Sequence, residues 1–260
     1  MTDIDDQTEA PATGGAIRLD QALAVRGLVR SRAAARDAVL RGTVRIDGAP
    51  AARPSVRVRP DQAIEIADPA ARYVSRSALK LAAALDAFEV DPSERDAVDL
   101  GASTGGFTQV LLERGARSVT AIDVGHGQLA EEVAADPRVR SIEGLNVREL
   151  AAAHLAVAPS LIVADLSFIS LLLALPPALA LAAPGADLVA LVKPQFEVGR
   201  EGIGKGGIVR ETPLVEEALE RVRRFVDTTP GWTVRGLIAS PIAGGDGNQE
   251  YLLAARADGR

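Results

Sequence analysis

The sequence contains no cysteine, only two histidines (His126 and His154), and no apolar run long enough to cross a membrane. The absence of cysteine excludes a disulfide scaffold, thiol catalysis and cysteine-ligated zinc, and two histidines give no basis for predicting a metal site. The longest apolar stretch, residues 168–183, is interrupted by Pro176 and Pro177. It falls short of the roughly 20 residues that a membrane-spanning helix needs, so we expect no membrane as a partner.

The first residues also lack the features of a secretion signal. Residues 1–15 carry four acids, no base and no apolar core, and therefore predict a disordered acidic leader. With 260 residues, of which 47% are hydrophobic and 25% charged, the chain has the composition of a globular protein of one or two domains. A cytoplasmic location is expected, and a monomer is the default because nothing in the sequence fixes an oligomeric state.

Arginine is concentrated near the front of an otherwise acidic chain. Residues 16–62 hold ten arginines against four acids, whereas the whole protein has a formal net charge of −6. Such a concentration is typical of a surface that binds a polyanion, with a solvated charged face as the alternative. Apolar residues recur at helical spacing on either side of Gly27 and alternate from Val44 onward. This module is therefore predicted to be two short helices followed by a small sheet.

From about residue 74 onward, short apolar strands alternate with helical stretches. This alternation predicts an α/β fold, with a largely parallel sheet covered by helices on both faces. Strands are predicted at 97–100, 119–123, 139–143, 161–165, 188–192, 233–238 and 251–255, and helices at 75–88, 104–114 and 214–226. In such sheets ligands bind beyond the carboxyl ends of the strands, so the residues that follow each strand are candidates for a site.

A glycine-rich turn, Asp99-Leu-Gly-Ala-Ser-Thr-Gly-Gly-Phe107, follows the first of these strands. Its glycines would let a ligand approach the backbone at a helix N-terminus. A nucleoside triphosphatase would need lysine in place of Phe107, and a dinucleotide dehydrogenase would need glycine in place of Ser103. The turn suits instead S-adenosylmethionine (SAM), a cofactor that has an amino-acid end and a ribose but no phosphate. The residues of this turn predicted to bind SAM are Asp99, Gly101, Ala102, Ser103, Thr104, Gly105, Gly106 and Phe107.

Polar residues after the next strands extend the predicted cofactor site. Asp123 ends the second strand, where a carboxylate can accept hydrogen bonds from both ribose hydroxyls, and Val124 follows it. Asn146, after the third strand, is placed to bond the adenine edge. A helix cap is the alternative for both polar residues.

The chain uses 26 arginines but only three lysines, Lys80, Lys193 and Lys205. Where arginine is the default cation, a retained lysine indicates a task that arginine cannot perform, such as releasing a proton near neutral pH when desolvated. Lys193 ends the fifth strand and Asp165 ends its neighbour, so we expect the two charges to meet beside the cofactor, which Asp165 would also contact. Solvated lysines at the ends of elements are the alternative.

Several motifs together resemble those of the TlyA family, whose members are named both as hemolysins and as ribosomal-RNA 2′-O-methyltransferases. They are the glycine-rich turn, Ala121-Ile-Asp-Val-Gly125, Ala164-Asp-Leu-Ser-Phe-Ile-Ser170, Leu191-Val-Lys-Pro-Gln-Phe-Glu197 and Gly247-Asn-Gln-Glu250. The front module, with Leu28-Val-Arg-Ser-Arg-Ala33 and Gly42-Thr-Val-Arg-Ile-Asp-Gly48, resembles the S4 RNA-binding domain. The resemblance extends from about Arg18 to Ala255, nearly the whole chain.

The resemblance implies a small α+β S4-like domain joined to a Rossmann-like, SAM-dependent methyltransferase domain with a seven-stranded, mostly parallel sheet. The expected divisions are a leader at 1–15, the S4-like domain at 16–68, a linker at 69–75 and an FtsJ-like methyltransferase domain at 76–260. In the linker, tyrosine stands at position 73 where the family has tryptophan. SAM is the implied cofactor, ribosomal RNA in the subunits the implied partner, and 2′-O-methylation of cytidine in 23S rRNA, and in 16S rRNA for longer members, the implied reaction.

The resemblance also assigns roles to individual residues. The family's Lys-Asp-Lys-Glu tetrad falls on Lys80, Asp165, Lys193 and Glu250. A ribose 2′-hydroxyl is a poor nucleophile, so a base must accept its proton, and Lys193 is the candidate. Contacts to RNA are implied for Arg30, Arg32, Arg53 and Arg76.

The stretch 198–210 contains five glycines and Lys205, and it predicts either a mobile loop over the site or a passive surface loop. Two other function classes stay open at this point: a membrane-damaging hemolysin, and an RNA-binding or ribosome-assembly factor without catalytic activity.

Overall fold

The computed structural model describes residues 15–199, 202–204, 207–209, 212–245 and 247–259. The predicted acidic leader lies outside the described residues up to position 14, as do Lys205 and the other undescribed positions of the expected glycine-rich loop. The chain divides into two compact units, one ending at Ala71 and the other beginning at Arg72. No helix among the described residues combines the length and the apolar character needed to cross a bilayer.

The first unit has two short helices followed by strands, as the hydrophobic spacing predicts. Its elements are β1 (Ile17–Arg18), α1 (Leu19–Val25), α2 (Arg32–Leu40), β2 (Val44–Ile46), β3 (Ala49–Pro50), β4 (Arg57–Val58) and β5 (Ile64–Ile66). Strand β1 pairs with β4, and β2 pairs with both β3 and β5, all antiparallel. Gly27 separates the helices with a φ of +68°, and the Ser31 hydroxyl caps α2 by accepting from the Ala34 amide at 3.2 Å. Leu19, Leu23 and Val44 lie in its small core.

The second unit is built around a seven-stranded sheet. Its strands are β6 (Asp96–Leu100), β7 (Ser118–Asp123), β8 (Val139–Glu143), β9 (Leu161–Ala164), β10 (Asp187–Val192), β11 (Trp232–Ala239) and β12 (Tyr251–Ala257). Its α-helices are α3 (Ala78–Ala87), α4 (Gly106–Glu113), α5 (Glu131–Ala134), α6 (Leu171–Ala174), α7 (Pro176–Ala180), α8 (Pro194–Glu197) and α9 (Thr212–Asp227). The strand order is β11-β12-β10-β9-β6-β7-β8, in which β6 to β10 are parallel and β12 is antiparallel to its neighbours. The predicted α/β fold with a mostly parallel sheet is confirmed.

Both faces of this sheet are buried. Along β9, Ile162 and Ala164 belong to one hydrophobic core, and Leu161 and Val163 belong to the other. Burial on both sides explains why the central strands are continuous apolar runs instead of alternating patterns. Tyr73, expected in a linker, is 3% exposed and packs in the second of these cores, so the structure places the end of the expected linker inside the second unit.

The strand order creates a switch point between β6 and β9. From β6 the chain proceeds to β7 and β8 on one side and then returns to β9 on the other. Ligands of open α/β sheets bind at such a point, outside the carboxyl ends of the strands. Gly101 follows β6 and Asp165 follows β9, so both lie there. Because β12 is antiparallel and Tyr251 pairs with Val192, the residue before β12, Glu250, lies at the same edge.

Candidate active site

A cleft of about 800 Å³ opens at this edge of the sheet. It is lined by residues that follow β6, β7, β8 and β9, the four strands around the switch point. Six of the residues predicted to bind the cofactor line it: Gly101, Ser103, Asp123, Val124, Asn146 and Asp165. The cleft therefore lies where the strand order predicts a ligand site.

A smaller cavity of about 160 Å³ adjoins the cleft. The two share Gly101, Ser103, Asp165 and Ser167 as lining residues, so they are parts of one continuous site. Lys193 lines the small cavity, together with Ala102, Thr104 and Phe107 of the glycine-rich turn and the hydroxyl-bearing Ser75 and Ser77. Predicted cofactor residues and the predicted base thus share the walls of one site.

Lys193 and Asp165 form an ion pair in the small cavity. The lysine Nζ lies 2.7 Å from Asp165 Oδ1, and the two side chains are 11% and 16% exposed. Nζ also donates a hydrogen bond to the Ser167 hydroxyl at 2.9 Å. The parallel register of β9 and β10 brings the two strand ends to one edge, which is why this contact follows from the sequence.

Lys80 and Glu250 form a second ion pair, which is buried. Their side chains are 7% and 4% exposed, and the lysine Nζ donates to Glu250 Oε2. Removing either partner would leave the other as an uncompensated buried charge. The structure therefore divides the expected tetrad into two pairs: the buried Lys80 with Glu250, and the cavity-lining Lys193 with Asp165.

Asp123 presents an oriented carboxylate to the cleft. Its Oδ2 accepts from the Ser103 amide at 2.8 Å and its Oδ1 from the Gly125 amide at 2.7 Å. These bonds fix both oxygens, and each oxygen retains a lone pair for a ligand hydroxyl. For Asn146 the structure shows the alternative role: its side chain caps a short 3₁₀ turn by accepting from the Arg148 amide at 3.1 Å, although it also lines the cleft.

Asp99 was expected to contact the cofactor, but it does not line the cleft. It is fully buried, and the Thr108 hydroxyl donates to its Oδ2 at 2.7 Å, while its Oδ1 finds no hydrogen-bond partner among the described residues. Burial raises the pKa of Asp99 to about 7. With no exposed surface, Asp99 supports the glycine-rich turn from within the core, and we no longer place it in contact with a cofactor.

The glycines of the turn are required by the protein's own packing. A Cβ at Gly101, whose φ is +84°, would lie 2.6 Å from the Asp165 carbonyl oxygen. At Gly105 and Gly106 a Cβ would lie 2.8 Å from a Leu129 methyl and 2.6 Å from the Ser77 hydroxyl. From the sequence, glycine was expected at these positions so that a ligand could approach the backbone. The structure shows instead that neighbouring segments of the chain fill the space a side chain would need.

Phe168 is a residue of the site that sequence reasoning missed. It lines the cleft, is 91% exposed and has a φ of +63°, which is unusual for a large side chain. Its ring lies 5.1 Å from that of Phe196, measured between centroids. The available signal was the rarity of aromatics, 3% of the chain, together with a phenylalanine three residues after a predicted strand.

Most arginines of the first unit hold its own fold. Within residues 15–71, seven of the ten form hydrogen bonds or ion pairs with carboxylates or carbonyl oxygens of that unit: Arg18, Arg26, Arg32, Arg41, Arg45, Arg57 and Arg59. Arg32, expected to contact RNA, lies 3.6 Å from Asp20. Arg30 and Arg53, expected to do the same, are exposed, and Arg76 lies partly buried in the second unit. Fewer arginines are therefore available to bind a polyanion than the arginine count of this unit indicates.

Comparison with known proteins identifies two families. The profile of the FtsJ-like methyltransferases matches residues 73–257, and that of the S4 domain matches residues 17–64. The chain is 46% identical over 240 residues to a Mycobacterium tuberculosis protein named 16S/23S rRNA (cytidine-2′-O)-methyltransferase TlyA, covering 92% of this chain and 89% of that protein. It is 37% identical over 238 residues to a Brachyspira hyodysenteriae protein named Hemolysin A, covering 91% of this chain and 98% of that protein. A solved structure from Streptococcus thermophilus, named as a hemolysin, is 41% identical with a TM-score of 0.73 and covers 94% of this chain and 89% of that chain.

Proposed function

The chain belongs to the TlyA family of FtsJ-like methyltransferases with an S4 domain, and on that premise we propose that it methylates the 2′-hydroxyl of cytidine in ribosomal RNA. The proposed substrate is 23S rRNA, with 16S rRNA as a further target. One observation carries the proposal: Lys193, paired with Asp165 at 2.7 Å, lines a cavity continuous with the cleft. An amine in this place can accept a proton from a hydroxyl presented to it.

The residues of the cleft fit SAM as the cofactor. The oriented Asp123 carboxylate can accept from two ribose hydroxyls, and a cleft of about 800 Å³ has the size of a cofactor pocket. Gly101 and Ser103 line both the cleft and the small cavity, so they would lie along the bound cofactor. When bound, SAM supplies a methyl group on a positively charged sulfur, which makes that methyl carbon electrophilic.

Lys193 is proposed to act as the base. Its Nζ donates to the exposed Ser167 hydroxyl, which together with Asp165 fixes the direction of the amine. Nζ of Lys193 would accept the proton of the ribose 2′-hydroxyl, while SAM would supply the methyl group and its sulfur would keep the electron pair of the broken S–CH₃ bond. Asp165 orients the amine and stabilises the ammonium that forms. The remaining acceleration comes from holding oxygen and methyl in line.

Lys80 and Glu250 are proposed to hold the site together. Their buried ion pair joins α3 to the start of β12, at the edge where Lys193 leaves β10. Because both side chains are less than one-tenth exposed, neither can leave the other without a large desolvation cost. This pair therefore fixes the edge from which Lys193 extends.

The first unit is proposed to bind RNA through its phosphates. Arg30, Arg32 and Arg53 are exposed cations of this unit, and Arg76 is a further proposed contact in the second. Arginine suits phosphate because its planar fork donates two hydrogen bonds at once. We propose an S4-like domain at 16–68 and a catalytic domain that begins at Arg72, so that the linker expected at 69–75 is limited to 69–71. The protein would act as a monomer on ribosomal subunits in the cytoplasm, without a membrane partner.

The proposed function is tested by transfer of labelled methyl groups to ribosomal subunits, followed by mapping of the methylated riboses. We expect Lys193→Ala to abolish transfer while SAM still binds. Lys193→Arg is the matched control, because it keeps the positive charge but cannot act as a base, and we expect it to be inactive as well. Transfer by either variant at the wild-type rate would remove Lys193 from the role of base.

The cofactor site is tested at Asp123. Asp123→Ala should weaken SAM binding by about 10-fold or more, because hydrogen bonds to a charged group contribute roughly 1.5–3 kcal/mol. Asp136→Ala, which removes an ion-paired carboxylate near β8, should leave SAM affinity unchanged. Calorimetric titration gives both values, and equal affinity of Asp123→Ala and wild type would reduce Asp123 to a structural role.

The two rival classes have their own readouts. Leakage from liposomes at low protein concentration, without RNA or SAM, would support membrane damage of the kind that the name of the Brachyspira relative indicates. RNA binding without methyl transfer would support a factor that lacks catalysis.

A further inference from the structure

Two short segments carry the reactive half of the proposed site. The segment 165–170 leaves β9 and holds Asp165, Ser167 and Phe168, and the segment 193–197 leaves β10 and holds Lys193 and Phe196. Lys193 contacts Asp165 and Ser167 where the segments begin, and the rings of Phe168 and Phe196 meet further along. The relative position of these segments therefore sets the distance between the proposed base and the groups that face the substrate.

The far ends of the segments are joined by a buried carboxylate, Glu197. Its Oε2 accepts from the Ser170 hydroxyl at 2.6 Å, and its Oε1 accepts from the Leu171 amide at 2.8 Å. Ser170 in turn caps α6 by accepting from the Leu172 amide at 3.2 Å. Glu197 thus supplies acceptors to two donors at the start of α6, which is where the segment 165–170 ends.

Burial disfavours the charged form of the Glu197 carboxyl, and the neighbouring groups only partly compensate for this. It is 5% exposed, and burial raises the pKa of its carboxyl, against which the bonds from Ser170 and Leu171 and the charge of Arg221 act. Arg221 of α9 also donates to the Glu197 carbonyl oxygen. A glutamate is rarely buried to this extent unless it is paired, so its bonds from the Ser170 hydroxyl and the Leu171 amide are its main compensation.

The backbone conformation of Phe168 makes the contacts of Glu197 important for the shape of the site. A phenylalanine with a φ of +63° is strained and persists only where the surrounding structure holds it. Phe168 lies midway between the Lys193 contacts at Asp165 and Ser167 and the Glu197 contacts at Ser170 and Leu171. Releasing the Glu197 end would let this segment relax and displace Phe168.

We propose that Glu197 is a positioning residue: through Ser170 and the Leu171 amide it holds the segment 165–170 against the segment 193–197 and so keeps Phe168 and Asp165 in register with Lys193. The consequence for catalysis rests on the proposed methyl transfer. Asp123 and Ser103, which bind each other on the β6 and β7 side of the cleft, are independent of Glu197. Loss of Glu197 therefore lowers turnover by a larger factor than it lowers SAM affinity.

The experiment compares wild type with Glu197→Ala, Glu197→Gln and the surface control Glu220→Ala, which removes an exposed ion pair with Arg223 on α9. We expect Glu197→Ala to lower kcat by about 10- to 100-fold, since a displacement near 1 Å can have that effect, and to lower SAM affinity by a clearly smaller factor. Glutamine should restore kcat, because its amide oxygen accepts from Leu171 and its NH₂ group donates to the Ser170 hydroxyl. Glu220→Ala should match wild type. Wild-type kcat in Glu197→Ala, or a loss that glutamine does not restore, would overturn the proposal.

Ser170→Ala provides a second test should Glu197→Ala fold poorly. This variant keeps the hydrogen bond from the Leu171 amide to Glu197 and removes the one from the Ser170 hydroxyl. We therefore expect kcat to fall less than in Glu197→Ala. The double variant should be no slower than Glu197→Ala alone, because both changes act on one contact. Unchanged kcat in Ser170→Ala, or effects that simply add, would contradict the inference.

A third readout does not depend on activity. The chain has five phenylalanines, so labelling with 4-fluorophenylalanine gives five fluorine resonances. In Glu197→Ala the resonances of Phe168 and Phe196 should shift and those of the other three should not. Unshifted Phe168 and Phe196 resonances would refute the role of Glu197. A wild-type protein that transfers no methyl would instead refute the proposed function and leave this measurement to decide on Glu197.

Discussion

Asp99 shows how burial changes the chemistry of a single carboxyl group. It has no exposed surface, and desolvation raises its pKa from 3.8 to about 7, although the Thr108 hydroxyl favours the ionised form. The folded protein therefore binds this proton more tightly than the unfolded chain does. The protonated Asp99 carboxyl therefore stabilises the folded state. This stabilisation is fully present below pH 3.8 and is lost as the pH rises toward 7.

Asp99→Asn should remove this dependence on pH. The wild-type free energy of unfolding should lose roughly 4 kcal/mol relative to the variant between pH 4 and 7, because one pKa unit corresponds to 1.36 kcal/mol. The comparison uses urea unfolding of both proteins at several pH values. Parallel curves for the two proteins across this range would show that the Asp99 pKa is not raised.

At the residue scale, the sequence predicted contacts that strand order determines and missed those that loop conformation determines. Lys193 and Asp165 end neighbouring parallel strands, so their meeting followed from position in the chain. The pairing of Lys80 with Glu250 depends on which face of α3 packs against the sheet; the family resemblance named both residues but did not predict that they pair. Phe168 and Glu197 act through backbone conformation and a buried contact that no residue pattern encodes.

The turn between β6 and α4 is the element that fixes the floor of the site. Its glycines allow β6, β9 and the residues before α3 to approach each other more closely than any side chain permits. Gly101 is the tightest of these positions with respect to backbone, 2.6 Å from the Asp165 carbonyl oxygen if a Cβ is added. A change there must move the end of β9 itself.

Gly101→Ala should therefore destabilise the fold by well over the roughly 1–2 kcal/mol that a positive φ costs an alanine. Gly127→Ala is a matched control, because Gly127 also has a positive φ, +62°, but a Cβ there meets nothing within 4 Å. Urea unfolding measures both. Equal losses in the two variants would show that close packing at Gly101 contributes nothing.

Element prediction succeeded where an element was long or buried on both sides. Continuous apolar runs such as β9 and β10 can hardly be anything but central strands, and the 16-residue helix α9 shows its period over four turns. Helices α5 and α6, with four residues each, span about one turn and cannot display a period. Their positions are set by what caps them, as Ser170 caps α6.

At the scale of the whole molecule, net charge alone does not show which arginines can bind a phosphate. The ion pairs within the fold must also be known. The first unit carries ten arginines in residues 16–62, yet within residues 15–71 the side chains of Arg30, Arg36 and Arg53 are those that hold no hydrogen bond or ion pair. An arginine bound to its own fold has less freedom to reach a phosphate. The sequence gives the net charge of the unit, but only the structure shows which cations are available.

Arg30→Ala and Arg53→Ala should each weaken RNA binding and reduce the slope of log K against log salt by about 0.7–0.9, the value for one lost phosphate contact. Arg57→Ala, which loses a bond to the Ala16 carbonyl oxygen, serves as the control and should leave the slope unchanged. Binding to ribosomal RNA fragments at several salt concentrations measures the slopes. A slope that stays at the wild-type value in Arg30→Ala and Arg53→Ala would exclude them as phosphate contacts.

The antiparallel strand β12 follows all other strands of the described residues in sequence, yet it lies inside the sheet, between β10 and β11. It delivers Glu250 to Lys80, a partner 170 positions earlier. During synthesis, Lys80 therefore emerges from the ribosome long before its counter-charge. The edge that holds Lys193 becomes complete only when β11 and β12 are added, so we expect a nascent chain to modify no RNA before both strands have been synthesised.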